Sequence, residues 1–204
     1  MKTYWKTYWS NKNNRTVFIF TFAILAIVLF YFLRFLIFNE NRKGVVFNDP
    51  VLSLFSPVDL SGIIFTITYP IASFGVAIAL QKPELFVKLI QVYTILTLLR
   101  MFTLYSVALE PPLAIIPLRD ALLESTFYTG RENLKDLFFS GHVSILFVFA
   151  FVFTNKKLKL LFTLAAIIVG ALVLIQHVHY SIDVIAAPVF AYFAFAIQKK
   201  INFQ

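Results

Sequence analysis

The run Val17–Phe38, VFIFTFAILAIVLFYFLRFLIF, carries Arg34 as its one charge among almost unbroken apolar residues. A helix that crosses the hydrocarbon core of a bilayer needs about 20 predominantly apolar residues, so this run reads as a membrane span. Its apolar stretch exceeds the ~7–15 residues of a secretory signal core, and no small-residue cleavage site follows, which makes it a retained span. Composition agrees. Of 204 residues, 60% are hydrophobic and 25 are phenylalanine, above the roughly 45–50% apolar content of soluble domains. There is no cysteine, which excludes disulfides, thiolate metal sites and cysteine nucleophiles.

Five further apolar segments follow: Val58–Leu80, Leu85–Leu109, Phe138–Thr154, Leu158–His177 and Ser181–Ile197. The fourth and sixth are short. The expected fold is all-α, a six-transmembrane-helix bundle over residues 17–204, preceded by a basic-aromatic segment at 1–16. That segment, with KTYWKTYW at Lys2–Trp9, suits a membrane interface; a disordered basic tail is the alternative. The polar residues of the second span (Ser61, Gly62, Thr66, Thr68, Tyr69, Pro70, Ser73) read as helix packing and a kink rather than a transport path.

The net charge of +8 is spread in short clusters between apolar runs, which fits anionic lipid headgroups and not nucleic acid. Cytoplasmic loops carry the excess of lysine and arginine. Lys2, Lys6, Lys12, Arg15, Lys82, Lys88, Lys156, Lys157, Lys159, Lys199 and Lys200 form the larger set on one side of a six-span chain. Arg34, Arg42, Lys43, Arg119, Arg131 and Lys135 form the smaller set on the other, and Arg100 falls within the third span. Both termini are thus expected in the cytoplasm. With that topology His142, His177 and His179, all the histidines of the chain, gather on the non-cytoplasmic face.

The chemistry concentrates in two motifs, KDLFFSGHVS at Lys135–Ser144 and HVHYSIDV at His177–Val184. On a helix, residues four apart share a face, so Asp183 can accept the Nδ1 proton of His179 and leave Nε2 free as a nucleophile. Attack on phosphorus gives a phosphohistidine. His142 is then the acid that protonates the leaving oxygen and the base that activates the incoming water or alcohol. Ser140 suits an N-cap and Gly141 permits close backbone approach, so the first amides of that helix can hold phosphate oxygens. His177, two residues from His179, points elsewhere on a helix and reads as structural. A charge within a span is usually directed to a cavity or a partner, which gives Arg100 two readings, a phosphate ligand or the partner of Glu110 or Asp136.

FSGH at Phe139–His142, HYSIDV at His179–Val184, the preceding Asp136 and the pattern of Arg100, Thr103, Tyr105, Leu109, Pro111 and Pro112 together resemble signature motifs of the sphingomyelin synthase family. That family is itself related to the type 2 phosphatidic acid phosphatase superfamily. The resemblance covers roughly Leu98 to Phe195. It implies six spans, a metal-independent His-His-Asp site and no cofactor, with His179 as nucleophile, Asp183 as its orienting partner and His142 as acid and base. The substrate would be a membrane phospholipid or lipid phosphate, and the acceptor a lipid alcohol or water. Ser140, Gly141, Arg100, Asp136, Lys135 and Tyr180 are the expected substrate-binding residues.

The phosphatase superfamily's lysine with a following Arg-Pro has no counterpart, and Leu172 and Val173 stand where it has Ser-Arg. Both departures lean toward the synthase branch and leave Arg100, Arg119, Arg131 and Lys135 as candidate phosphate clamps. A hydrolase using water is the close alternative, and a non-catalytic lipid-binding protein a third. A zinc site would need three or four converging ligands, and no His-Glu-x-x-His is present. The loop Pro111–Leu137 reads as an interfacial segment or a lid over the site. A bacterial cytoplasmic membrane is the expected location.

Overall fold

The computed structural model describes residues 2–118 and 133–201. Among them the chain folds into seven α-helices: α1 Lys2–Ser10, α2 Lys12–Glu40, α3 Ser61–Ala79, α4 Pro83–Ser106, α5 Gly141–Val152, α6 Lys156–Ile175 and α7 Ser181–Ile201. A short 3-10 turn, Leu52–Leu54, lies between α2 and α3. Five helices, α2, α3, α4, α6 and α7, are long and apolar enough to cross a membrane. The chain is an integral membrane protein.

Helix ends follow local chemistry. Asn11 and Asn155 cap α2 and α6, each side-chain oxygen accepting backbone N–H groups two and three residues on, the usual service of an asparagine N-cap. Pro83 opens α4, where its missing N–H has no helical partner to lose. At its far end α6 closes in a Schellman motif: Val178 N–H reaches the Val173 carbonyl at 3.0 Å and His177 N–H the Leu174 carbonyl at 2.9 Å. The left-handed residue of that motif, normally glycine, is His177, with φ 59°.

The fourth apolar segment departs from the others. Its helix covers only Gly141–Val152, 12 residues, or about 18 Å at 1.5 Å per residue, against a hydrocarbon core of about 30 Å. The reason lies in its surroundings. Val143, Leu146, Val148, Phe149 and Val152 are all buried, because α4, α6 and α7 pack around α5. A helix that is apolar all round and enclosed by other helices has no need to match the bilayer thickness.

By contrast α2 lies on the outside against α4, showing Ile19, Phe20, Ile27, Phe30 and Phe38 at its surface, as a lipid-facing helix does. Against the turn between α3 and α4 sits α1. Trp5 Nε1 donates to the Leu80 carbonyl at 2.8 Å, and its ring meets Tyr8, Phe18 and Phe86 edge-on.

The α5 start, the α6 end and the α7 start share one end of the bundle, because Ser140 N–H bonds the Asp183 carbonyl at 3.2 Å. The connections after α2 and α4 close over that end. Val45 bridges Leu109 through bonds to Ala108 and Glu110, each 3.0 Å. Gly44 allows this approach: a Cβ there would lie 2.7 Å from the Leu109 carbonyl carbon. Gln176, fully buried, fastens the same end, accepting from Leu60 N–H at 2.9 Å and donating to Ser61 Oγ at 2.9 Å.

Candidate active site

The first turn of α7 is built around two carboxylates, as the positive end of a helix favours. Asp183, third residue of the helix, accepts the Tyr180 N–H on Oδ2 at 3.0 Å, which is one half of a capping box. The other support comes from far away in the chain. Asp49 Oδ2 accepts the Ser181 N–H at 2.6 Å and Oδ1 accepts the Val51 N–H at 2.9 Å. Burial alone would raise the pKa of Asp49, but the bonds from Ser181, Val51 and Leu52 outweigh it and hold the carboxyl below 3.8.

On this platform His179 Nδ1 faces Asp183 Oδ2 at 3.4 Å, both side chains buried. The helix begins at Ser181, two residues after His179, so the pair is closed by the entry into the helix and not by a shared helical face. At 3.4 Å the contact is at the long end of hydrogen-bonding distance. Asp183 Oδ1 is buried with no partner.

Ser140 occupies the N-cap position of α5, yet its hydroxyl makes no capping bond and its Oγ is buried without a partner. Its backbone is what works: the N–H holds Asp183, and the carbonyl receives Ser144 N–H at 3.0 Å. The expected side-chain cap is thus replaced by a backbone link between the two motifs. His142, one residue into α5, is half-buried, with its ring edge-on to Phe65 of α3, centroids 5.8 Å apart.

Arg100 comes to this helix start from α4, six residues before its end at Ser106, or roughly 9 Å by helical rise. Its guanidinium pairs with Asp136 and lies over the rings of Phe32 and Phe139. A Cβ on residue 141 would lie 2.8 Å from Arg100 Cζ, so Gly141 is what admits the cation to the helix N-terminus. A positive group beside unpaired first-turn amides is suited to an anion.

Lys135 and Tyr180 are engaged elsewhere. Lys135 Nζ meets the Glu110 carboxylate at 2.9 Å and donates to the Arg42 carbonyl at 2.6 Å. Glu110 is held ionised below its ordinary 4.5 by the Gly44 N–H and by Lys135. The Tyr180 hydroxyl donates to the Glu110 carbonyl at 2.9 Å and accepts Phe47 N–H at 3.3 Å; burial keeps its pKa above 10.0. Arg119 and Arg131, with most of the loop expected to form a lid, lie outside the described residues. Among the described residues no group of three or more His, Asp or Glu is placed to hold a metal ion.

Residues 135–200 match the family model described as PAP2 superfamily C-terminal. That match relates the C-terminal part of the chain to the PAP2 superfamily. It covers less than half of the chain and contains both motifs and all three histidines. No curated protein and no solved structure matches the chain.

Sequence reasoning missed Asp49 and Glu40, and it offered Glu110 as a partner of Arg100 where the structure pairs it with Lys135. Glu40 accepts the N–H groups of Leu134 and Lys135 at 3.1 and 3.0 Å. The bonds that tie Asp49 to Ser181 and Glu40 to Leu134 and Lys135 span 94 to 132 residues, and no spacing rule connects such positions.

Proposed function

We propose that this chain is a lipid phosphotransferase that moves a phosphate or phospho-headgroup through a phosphohistidine on His179. Six membrane passes, with α5 as a shortened fourth, would put both termini in the cytoplasm and the site on the opposite face, in a bacterial cytoplasmic membrane. The observation that carries the reading is the buried His179–Asp183 pair, bonded through Ser140 to the start of the helix that bears His142.

The chemistry follows from those positions. Asp183 accepts the Nδ1 proton and fixes the tautomer, which leaves the Nε2 lone pair for phosphorus. As the N–P bond forms, the P–O bond to the leaving alcohol breaks, and His142 supplies the proton that alcohol needs. Arg100 and the first amides of α5 balance the charge on the phosphoryl oxygens. In the second step His142 takes the proton of the acceptor hydroxyl as its oxygen attacks phosphorus and the N–P bond breaks. Asp136 holds the guanidinium in place.

The likeness to the PAP2 superfamily favours water as acceptor, and so a lipid phosphate phosphatase or a phospholipase C-type hydrolase, as the second reading. Purified protein incubated with headgroup-labelled phospholipids distinguishes the two. Diacylglycerol with a new labelled phospholipid marks the transferase; diacylglycerol with the labelled phosphorylated headgroup in solution marks the phospholipase C-type hydrolase, and diacylglycerol with inorganic phosphate, released from added phosphatidic acid, marks the phosphatase. His179→Ala abolishes turnover in either case, and turnover unaffected by it removes the mechanism. A non-catalytic lipid-binding role predicts no product from any labelled lipid.

A further inference from the structure

Two polar residues close α2 in places that local chemistry disfavours. Asn39 is buried, where an amide costs free energy unless it is bonded. Glu40, the last residue of the helix, puts a carboxylate at the negative end of the helix dipole. Both engage one distant residue. Asn39 Nδ2 donates to the Lys135 carbonyl at 2.8 Å, while Glu40 Oε2 accepts the Lys135 N–H at 3.0 Å and the Leu134 N–H at 3.1 Å.

The Lys135 carbonyl belongs to the rigid peptide plane that leads into Asp136, so its bond to Asn39 sets the direction from which the Asp136 side chain departs. Asp136 is the residue that pairs with Arg100. The same amide reaches the other member of that pair. Asn39 Oδ1 accepts from Arg42 Nη1 at 3.3 Å, and Arg42 donates onward to the Leu104 and Tyr105 carbonyls at 3.4 and 3.0 Å, in the last turn of the helix that carries Arg100. One side chain thus joins the two segments whose charges meet. It has to be an amide, because the bond to Lys135 needs a donor and the bond from Arg42 an acceptor.

We propose that Asn39 and Glu40 are positioning residues for phosphate binding: through Asp136 they hold the Arg100 guanidinium at the start of α5. They act on the phosphate only by way of Arg100, and the inference rests on the reading of Arg100 as a phosphate ligand. Their chemistry makes the claim specific. Asn39→Asp exchanges the donor that Lys135 needs for a second acceptor, and Glu40→Ala frees both N–H groups. Glu40→Gln keeps an oxygen with two lone pairs, enough for both.

The test is a ³¹P NMR titration of inorganic phosphate with the full chain in a phosphorus-free detergent, in two backgrounds, with thermal midpoints alongside. With Arg100 present, Asn39→Asp and Glu40→Ala are each expected to weaken phosphate binding about fivefold, the effect of losing roughly one hydrogen bond, and Glu40→Gln to restore it. Arg100→Lys keeps a charge for the anion but not the planar fork that Asp136 holds. In that background the two substitutions should lose most of their effect on phosphate, while their effects on the thermal midpoint persist. An equal loss of affinity in both backgrounds marks a merely structural role and overturns the proposal, as does unchanged affinity in folded Asn39→Asp and Glu40→Ala proteins. Where Asn39→Asp does not fold, Glu40→Ala against Glu40→Gln carries the same comparison. If Arg100→Lys itself leaves phosphate affinity unchanged, the reading of Arg100 fails and the proposal with it. If the comparison holds in a protein that turns over no phospholipid, the transfer reading fails and the positioning role stands.

Discussion

Asp49 Oδ2 receives the backbone N–H of Ser181 at 2.6 Å, across 132 residues of sequence. Through that bond the connection after α2 fixes the first turn of the helix that presents Asp183 to His179. Asp49→Ala is expected to lower stability by about 1–2 kcal/mol, the usual cost of removing a helix N-cap acceptor, and Asp49→Asn by less. Thermal unfolding in detergent measures both.

The same carboxyl carries a pH signature. Its pKa is lowered in the folded protein because the N–H bonds outweigh burial. A lowered folded value means that the stabilisation is fully present above the ordinary 3.8 and is lost as pH falls through the folded value. The stability gap between wild type and Asp49→Asn should therefore hold at neutral pH and narrow below pH 3.8, as read from thermal midpoints along a pH series. A gap that widens in acid reverses the sign and contradicts the assignment.

Gly141 and Arg100 are expected to be energetically coupled. A methyl at 141 meets the guanidinium carbon at 2.8 Å, so Gly141→Ala should displace the cation from the start of α5, at a net cost of about 1 kcal/mol or less because the group that must move is the end of a long side chain and alanine suits a helix better than glycine. Arg100→Lys removes the planar group, and the double variant should recover part of the loss. A double-mutant cycle on unfolding free energy checks this; strict additivity would show that the two do not meet.

Ser140 separates binding from stability. Its hydroxyl is buried with no partner in the resting protein, so Ser140→Ala should leave the thermal midpoint unchanged or raised. If the hydroxyl instead serves a phosphate oxygen, kcat/KM falls by about 10-fold or more, equivalent to about 1.4 kcal/mol or more of transition-state binding. Paired unfolding and kinetic measurements on this one variant give both numbers.

His177 in the left-handed region sets a steric rule for its position. Glycine there should hold stability to within about 1 kcal/mol, while His177→Val, β-branched and ill-suited to φ 59°, should lose a further 1–2 kcal/mol or so. Urea unfolding of the two variants, compared in one detergent, reads the difference.

Much of this architecture could be read before the coordinates. The apolar runs located the helices to within a few residues, Val58–Leu80 against Ser61–Ala79 and Leu158–His177 against Lys156–Ile175, since apolar length is what a bilayer selects. His179 and Asp183 do meet, through the entry into α7 and not on the shared helical face expected, and the charge inside the third span announced a partner for Arg100, found in Asp136. Tertiary geometry hid the rest. Nothing in FSGH shows that the serine N–H, and not its hydroxyl, serves the helix start, because its partner is the carbonyl of Asp183. The shortness of α5 depends on the helices around it, and the hold of Asp49 on Ser181 depends on how one connection folds over the bundle. Neither is a local property.

The central claim is a covalent bond between His179 and phosphorus, and rapid acid-free quenching of the enzyme during turnover of ³²P-labelled phosphatidic acid, followed by peptide mapping, tests it most directly. The account predicts an acid-labile, base-stable label on the peptide containing His179, absent from His179→Ala. Steady turnover with no labelled protein, or a label that persists in His179→Ala, would contradict it.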